Sequence, residues 1–393
     1  MQDLCIGVIG YGLRSSIART AHRPGAGSRV VAVADPDPTA CAKAAAQLPG
    51  IDTVDDYRAL LDRHDVDAVI VNTPDHTHHE IACAALRAGK AAYVEKPLGV
   101  TVEQCDDILT VARDTGTRLY VGHNMRHMGV VRLMRDIIAR GEIGAVQTIW
   151  VRHFVGHGGD FYFKDWHAQR ANTTSLLLQK AAHDLDVVHW LADSYTETAS
   201  ALGDLKVYGR VTDRLSAGEP KRADWFAPDK HWPPLAQSGL QPDIDVEDVS
   251  IVNMRLENGV LAAYQQCHFT PDYWRNYTVI GDAGRLENFG DEPGDVVKVW
   301  NARRSDYRAD ADAVYVVPDA EGGHGGADEL IFEEFCRFVR EGGHTDTSPV
   351  AARMSVAAGV AATASLRAGG VPHEVSPLPD SLTDYFRHGQ QPQ

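Results

Sequence analysis

Gly7-Val8-Ile9-Gly10-Tyr11-Gly12-Leu13-Arg14-Ser15 decides the fold. An apolar run, a Gly-x-Gly pair and the start of a helical pattern read as strand, tight turn and helix. Such a turn lets the backbone approach a pyrophosphate and aims the free N–H groups of the helix start at it. Ser15 stands where the usual fingerprint has its third glycine. Asp35, closing the next apolar run, completes the signal, because a carboxylate there accepts hydrogen bonds from both adenosine ribose hydroxyls. Gly10, Gly12, Leu13, Arg14 and Asp35 are therefore candidate dinucleotide-binding residues. A carboxylate repels a 2'-phosphate, so Asp35 favours NAD over NADP; Arg14, beside the turn, is the one residue there that could pair with a phosphate.

Working outward, residues 1–123 alternate between apolar runs and amphipathic segments, as a parallel sheet covered by helices requires. Strands are predicted over 4–10, 29–34, 68–72, 91–94 and 119–122, and helices over 14–23, 39–47, 56–63, 78–88 and 102–115. Runs such as Val30-Val31-Ala32-Val33-Ala34 and Ala68-Val69-Ile70-Val71 suit strands buried on both faces. Beyond residue 123 the texture changes. A helix is predicted over 129–140, a strand over 145–154, a functional loop over 156–166 and a helix over 177–191. The segment 209–242, rich in Pro, Asp and Lys, reads as a long excursion on the surface or over a site. Strand-like alternation resumes over 249–256, 259–268, 273–280 and 284–288, with turn signals at Glu257-Asn258-Gly259 and Gly281-Asp282-Ala283-Gly284. Two closing helices, 326–341 and 350–368, complete the expectation of two domains, 1–123 and 124–393.

Composition excludes several classes. The 393 residues are 44% hydrophobic, enough for two packed cores, and a formal charge of −16 disfavours binding to a phosphate backbone. Nucleic acid is not an expected partner. Six scattered cysteines form no C-x-x-C pair, which reads as reduced thiols in the cytoplasm. No stretch reads as a signal core or a membrane span.

The chemistry-bearing motifs follow the glycine turn: Asn72-Thr73-Pro74 with His78 four residues on, then Ala88-Gly89-Lys90 leading to Glu95-Lys96-Pro97, and later His183 and Asp186 on a helix. As a set they resemble the Gfo/Idh/MocA oxidoreductases across nearly the whole chain. The resemblance implies an α/β protein: an N-terminal Rossmann domain and a C-terminal α/β domain with an open, mostly antiparallel sheet. It also implies redox chemistry on a sugar or cyclitol hydroxyl with a nicotinamide cofactor, and a homodimer or homotetramer formed through that sheet. Asn72, Thr73, Pro74, His78, Glu95 and Asn124 join the cofactor-binding candidates, and Lys96 takes the oxygen-polarising role.

Residue chemistry supports that role, since an ammonium orients a hydroxyl and stabilises developing alkoxide charge. A neutral imidazole at His183 can take the proton near neutral pH. Here the chain departs from the family's D-x-x-x-H arrangement, because Gln179 stands where the carboxylate is expected. Glutamine can hydrogen-bond a hydroxyl but cannot accept its proton; Asp184 or Asp186 could partner His183 instead, and Lys180 adds a second cation. Gln179 remains with Lys96 and His183 in the catalytic set. The loop of glycines, histidine and aromatics before Arg170 suits sugar recognition, where C–H faces stack on rings and hydroxyls need donors and acceptors. Asp160, Lys164, Trp166, His167, Arg170, Lys180 and Arg126 are substrate-binding candidates, with Arg126 placed at the domain junction and His324 a further possibility. A metal is not expected, since His189 turns away from the helix face shared by His183 and Asp186. The expected function is NAD-dependent oxidation or reduction of a secondary hydroxyl on a sugar, anhydrosugar or cyclitol. The alternatives are redox-assisted glycoside cleavage with cofactor recycling, and a regulator that senses a dinucleotide or sugar without chemistry.

Overall fold

The computed structural model describes residues 2–320, 322 and 325–391; His324 lies outside the described residues. The chain divides into two compact units, one of residues 1–128, 321–356 and 377–393, the other of 129–320 and 357–376.

The first unit begins β1 (Leu4–Ile9), α1 (Ser16–Ala21), β2 (Ser28–Ala34), α2 (Pro38–Gln47), β3 (Asp52–Val54), α3 (Tyr57–Leu61), β4 (Ala68–Val71), α4 (His78–Arg87), β5 (Ala91–Val94), α5 (Val102–Thr115) and β6 (Leu119–Val121). The strands form a parallel sheet in the order β3-β2-β1-β4-β5-β6, the doubly wound order whose reversal between β1 and β4 opens a ligand crevice. β4 and β5 are buried throughout, which explains their unbroken apolar sequences. Side chains at the predicted helix starts do the capping: Asp37 accepts from Thr39 N at 2.8 Å, and Thr101 from Gln104 N at 3.2 Å. Two local expectations shift. β3 is a short, largely exposed edge strand that the pattern did not announce. α1 starts only at Ser16, leaving Leu13 and Arg14 in the turn.

The second unit contains α6 (Gly129–Ala139), β7 (Val146–Phe154), α7 (Gly158–Tyr162), α8 (Arg170–Thr173), α9 (Leu176–Gln179), α10 (Ala182–Ala192), β8 (Thr196–Asp204), β9 (Val249–Leu256), β10 (Leu261–Cys267), β11 (Trp274–Gly281), β12 (Arg285–Phe289), β13 (Val296–Trp300), β14 (Ala313–Val316) and, near the C-terminus, β15 (His373–Glu374). The sheet order is β14-β13-β12-β11-β7-β10-β9-β8-β15, antiparallel except where β7 and β10 run parallel. Strict alternation along β9 buries Ser250, Val252, Met254 and Leu256 and exposes the residues between them. The predicted helix 177–191 is two helices. Ala181 N bonds Leu176 O, five residues back, at 3.1 Å, a widened turn separating α9 from α10.

Two further helices, α11 (Ala327–Glu341) and α12 (Pro349–Arg367), match the expected closing pair, and a third, α13 (Asp380–Arg387), follows. The compact N-terminal unit runs to residue 128 and also takes in α11 and α13, which the two-domain expectation places in the second domain. Phe335 of α11 lies 5.5 Å from the Tyr93 ring and 5.6 Å from that of Tyr120, and Phe332 and Phe338 are fully buried in the same core. Burying each such ring contributes about 1.5–3 kcal/mol, which fixes α11 to the β5–β6 side of this sheet. By length and composition α12 could cross a membrane, contrary to the expectation of no such stretch, but 83% of its apolar window is buried inside the protein.

Candidate functional site

In the Rossmann unit the glycine turn sits at the β1/β4 reversal. Gly10 has φ +88°, and a Cβ there would lie 2.9 Å from the Asn72 carbonyl, so only glycine fits. No atom stands within 4 Å of a Cβ placed on Gly12, leaving room for a ligand against the backbone. Asp35 closes the turn by accepting Tyr11 N at 2.7 Å and Asp37 N at 2.9 Å, one on each oxygen. A carboxylate oxygen has two lone pairs, so each keeps capacity for a ribose hydroxyl. Asn72 is 9% exposed, and neither its amide oxygen nor its nitrogen has a hydrogen-bond partner among the described residues. A donor and an acceptor left over at the reversal point are what a bound nucleotide would satisfy, and these residues fit NAD. Leu13 is 48% exposed beside them.

Other members of the expected cofactor set support the turn from behind. Thr73 accepts the Thr77 hydroxyl at 2.7 Å. His78 is buried, with Nδ1 2.7 Å from Pro97 O and Nε2 2.9 Å from Thr73 O. Burial lowers its pKa, and the neutral ring, with one N–H, donates to one carbonyl at a time. His78 therefore ties the Thr73-Pro74 loop to the Lys96-Pro97 segment rather than reaching a ligand.

Arg14 corrects the phosphate-pairing expectation. Its guanidinium gives Nε to Glu95 at 2.8 Å and both terminal nitrogens to Asp328 at 2.7 Å. Burial opposes its charge, but Glu95 and Asp328 outweigh that and hold its pKa well above the usual arginine range. With two carboxylates on it, Arg14 is a poor receptor for a 2'-phosphate. Asn124 Nδ2 joins the network on Asp328 at 3.1 Å. Lys96, half-buried at the end of β5, donates its backbone N–H to Glu95 Oε2 at 3.2 Å. Glu95 thus grips Arg14 and the Lys96 backbone together, fixing where the lysine leaves the sheet. Sequence spacing could not reveal Asp328, which is 314 residues from Arg14. Arg126, expected to meet substrate, is 6% exposed and donates to Asp346 O at 2.8 Å, which gives it a supporting role within this unit.

In the second unit Gln179 is buried at the end of α9, while Lys180 and His183 are half-buried in an otherwise buried run. Lys180 Nζ lies 5.8 Å and 6.0 Å from the Tyr162 and Tyr273 ring centres. Asp184 turns to the sheet. It accepts hydrogen bonds from His153 Nδ1 at 3.0 Å, Tyr264 OH at 3.2 Å and Tyr277 OH, and is ion-paired with the Arg275 guanidinium, whose Nε lies 3.0 Å away. Burial raises its pKa, but Arg275 and His153 overcome that and hold it well below the carboxylate range. These partners anchor α10, and so the backbone of His183, to β7, β10 and β11. His153 and Arg275 escaped the sequence reading, although a histidine at an inward position after Ile149 and Val151 was the available signal. His189 bonds Thr196 Oγ1 at 2.7 Å, so its side chain and that of Asp184 turn to different partners.

The loop residues divide. Asp160, 1% exposed, accepts Lys164 Nζ at 2.8 Å, His231 Nδ1 at 2.7 Å and Gln237 Nε2 at 2.9 Å. Trp166 stacks on buried His167, ring centres 3.7 Å apart. Arg170 is an exposed residue paired with Glu247 at 3.0 Å, a surface tie in place of the expected substrate contact.

Comparison with known proteins agrees with this geometry. Residues 4–123 match the NAD-binding Rossmann fold of an oxidoreductase family, and residues 135–375 match that family's C-terminal alpha/beta domain. Inositol 2-dehydrogenase of Ralstonia nicotianae is 36% identical over 218 residues, 54% of this chain and 60% of its own. The 1,5-anhydro-D-fructose reductase of Ensifer adhaerens is 28% identical over 235 residues, 60% of each chain. The chain thus aligns with 60% of the length of each of these curated relatives. The structure of levoglucosan dehydrogenase with NADH and levoglucosan shares the fold, with a TM-score of 0.77 and 22% identity over 96% of this chain and 100% of that one. With both domain matches in chain order, and with the glycine turn, Asp35 and Glu95-Lys96-Pro97 assembled on one Rossmann sheet, the chain belongs to the Gfo/Idh/MocA family of oxidoreductases.

Proposed function

We propose that the protein is an NAD-dependent dehydrogenase of a secondary hydroxyl on a neutral sugar, anhydrosugar or cyclitol. The observation that carries this is Lys96, anchored through Glu95 at the end of β5, in the same unit as a glycine turn and an Asp35 that fit NAD. Gly10, Gly12, Asp35 and Asn72 hold the dinucleotide, which supplies the hydride acceptor. Lys96 hydrogen-bonds the reacting oxygen and stabilises its negative charge as the C–H bond breaks. His183 takes the hydroxyl proton, and Gln179 orients a hydroxyl without accepting a proton. Because Gln179 cannot carry charge, proton removal rests on His183, and stabilisation of the oxygen's charge on Lys96.

The exposed face of the nine-stranded sheet supports a homodimer or homotetramer. Trp150, Leu202, Ile251, Leu261 and Val316 lie on it and are between 47% and 61% exposed. Light scattering that finds only monomer at micromolar concentration would remove that part. All six cysteines are free thiols, which suits a reducing cytoplasm. The function is tested by a spectrophotometric screen of sugars, anhydrosugars, cyclitols and glycosides with NAD and NADP. Reduction of NAD by at least one polyol is expected. Cofactor binding without reduction across the panel would favour the regulator instead.

A further inference from the structure

The excursion after β8 is a built structure. Asp248, fully buried, accepts the backbone N–H groups of Lys206, Val207 and Tyr208 at 2.7, 2.8 and 2.9 Å and so fixes its entrance. Its return is fixed by Leu215 N on Leu240 O and Gln241 N on Phe163 O, both at 2.8 Å. Between these anchors it covers a cavity of about 380 Å³, wholly within the second unit and within the range of small-molecule pockets, about 300–1,000 Å³.

Three features of the lining define a ligand. The first is an orphaned acceptor. Gln237 is 5% exposed and gives its amide nitrogen to the Asp160 carboxylate, which can only accept, so the amide orientation is fixed. Its oxygen Oε1 then has no hydrogen-bond partner among the described residues. A ligand O–H is the group that would satisfy it. The second is flat surface: His157 stacks on Tyr273 with planes 18° apart, and Trp232, half-exposed, lines the excursion side. The third is charge. Asp229 and Asp272 line the cavity beside Asp160, whose charge Lys164 offsets, with no lysine or arginine among the lining residues, and burial lowers the His157 pKa and favours its neutral ring. That disfavours phosphate or carboxylate ligands and leaves a neutral, hydroxyl-rich one.

Lys180 Nζ lies 6.0 Å from the ring centre of Tyr273, so one aromatic ring that lines the cavity also contacts the α9–α10 segment that carries His183. We propose that it holds a neutral pyranose ring, the second sugar unit of a glycoside whose first unit presents the hydroxyl to be oxidised. This rests on the dehydrogenase reading and sharpens its substrate from a free cyclitol or monosaccharide to a neutral glycoside. Trp232 stacks on the second ring and Gln237 accepts one of its hydroxyls.

The test is calorimetric titration of the full chain, without cofactor, with cellobiose, lactose and mannobiose, and with glucose, galactose, mannose and glucose 6-phosphate. At least one disaccharide is expected to bind about 10-fold tighter than its monosaccharides, with glucose 6-phosphate the weakest of all. Trp232→Ala and Gln237→Leu should each weaken that disaccharide about 5- to 10-fold and leave the monosaccharides unchanged. Trp232 is half-exposed, so its variant carries the test if Gln237→Leu fails to fold. Equal binding of one and two rings, no disaccharide binding, or undiminished binding by Trp232→Ala would overturn the proposal. Turnover is not read, so a failed dehydrogenase reading appears separately, as disaccharide binding without NAD reduction in the wild type.

Discussion

Replacing His153 with glutamine should flatten the acid sensitivity of the second unit. His153 is fully buried, gives Nδ1–H to Asp184 and receives a guanidinium N–H from Arg275 on Nε2 at 3.5 Å, an arrangement that needs the neutral ring. Burial and the Arg275 charge push its pKa down to about 3, against the pull of Asp184. An unfolded histidine titrates near 6.5, so below that pH the unfolded chain binds a proton that the folded chain refuses. Stability is therefore complete above about pH 6.5 and falls as the pH drops. Each pH unit below the unfolded value costs about 1.4 kcal/mol, so His153 alone makes the protein about 2 kcal/mol less stable at pH 5 than at pH 7. Asp184 is also depressed, but its stabilisation is lost only as pH falls below the unfolded carboxylate value near 4, outside this window. His153→Gln keeps a donor for Asp184 and removes the titration. Urea unfolding monitored through the second unit's tryptophans at pH 7, 6 and 5 should show the variant losing about 2 kcal/mol less than the wild type. Identical losses would refute the buried neutral histidine.

Two substitutions probe the cofactor turn. Asp35→Ser removes the partner of Tyr11 N and the ribose acceptor, so NADH affinity should fall about 10-fold while NADPH gains relative to it; fluorescence titration decides, and equal native affinity for both cofactors contradicts the role of Asp35. Gly10→Ala forces a Cβ against the Asn72 carbonyl at a positive φ, costing about 1–2 kcal/mol for the backbone alone, so it should abolish NADH binding and lower the melting temperature; an unchanged melt and titration would show that the turn is not constrained.

Local pattern made the Rossmann half legible. Its central strands β4 and β5 are buried on both faces, so their sequences are continuous and apolar, and the starts of α2, α3 and α5 carry side-chain caps. What it could not show was long-range: that α11 returns to this sheet depends on Phe335 meeting Tyr93 and Tyr120, and the Arg14 network needs Asp328. In the second half, β8 reads Thr-Glu-Thr-Ala-Ser-Ala-Leu-Gly-Asp, small and polar residues with little alternation, and only pairing with β9 makes it a strand. β13 and β14 are 5 and 4 residues long, too short for a periodic signal. Among site residues, those on the glycine turn and at the end of β5 were readable because local geometry defines their chemistry. Asp160 is legible in its aromatic loop, but its partners His231 and Gln237 lie 71 and 77 residues on in a segment without periodicity.

In the proposed reaction Lys96 handles the reacting oxygen while the glycine turn and Asp35 hold the cofactor. With a substrate from the polyol screen, NAD reduction by wild type and Lys96→Ala should be compared alongside NADH binding by both. A fall of at least about 100-fold in kcat is expected, with NADH affinity within about 3-fold of wild type. Full turnover by Lys96→Ala would contradict it.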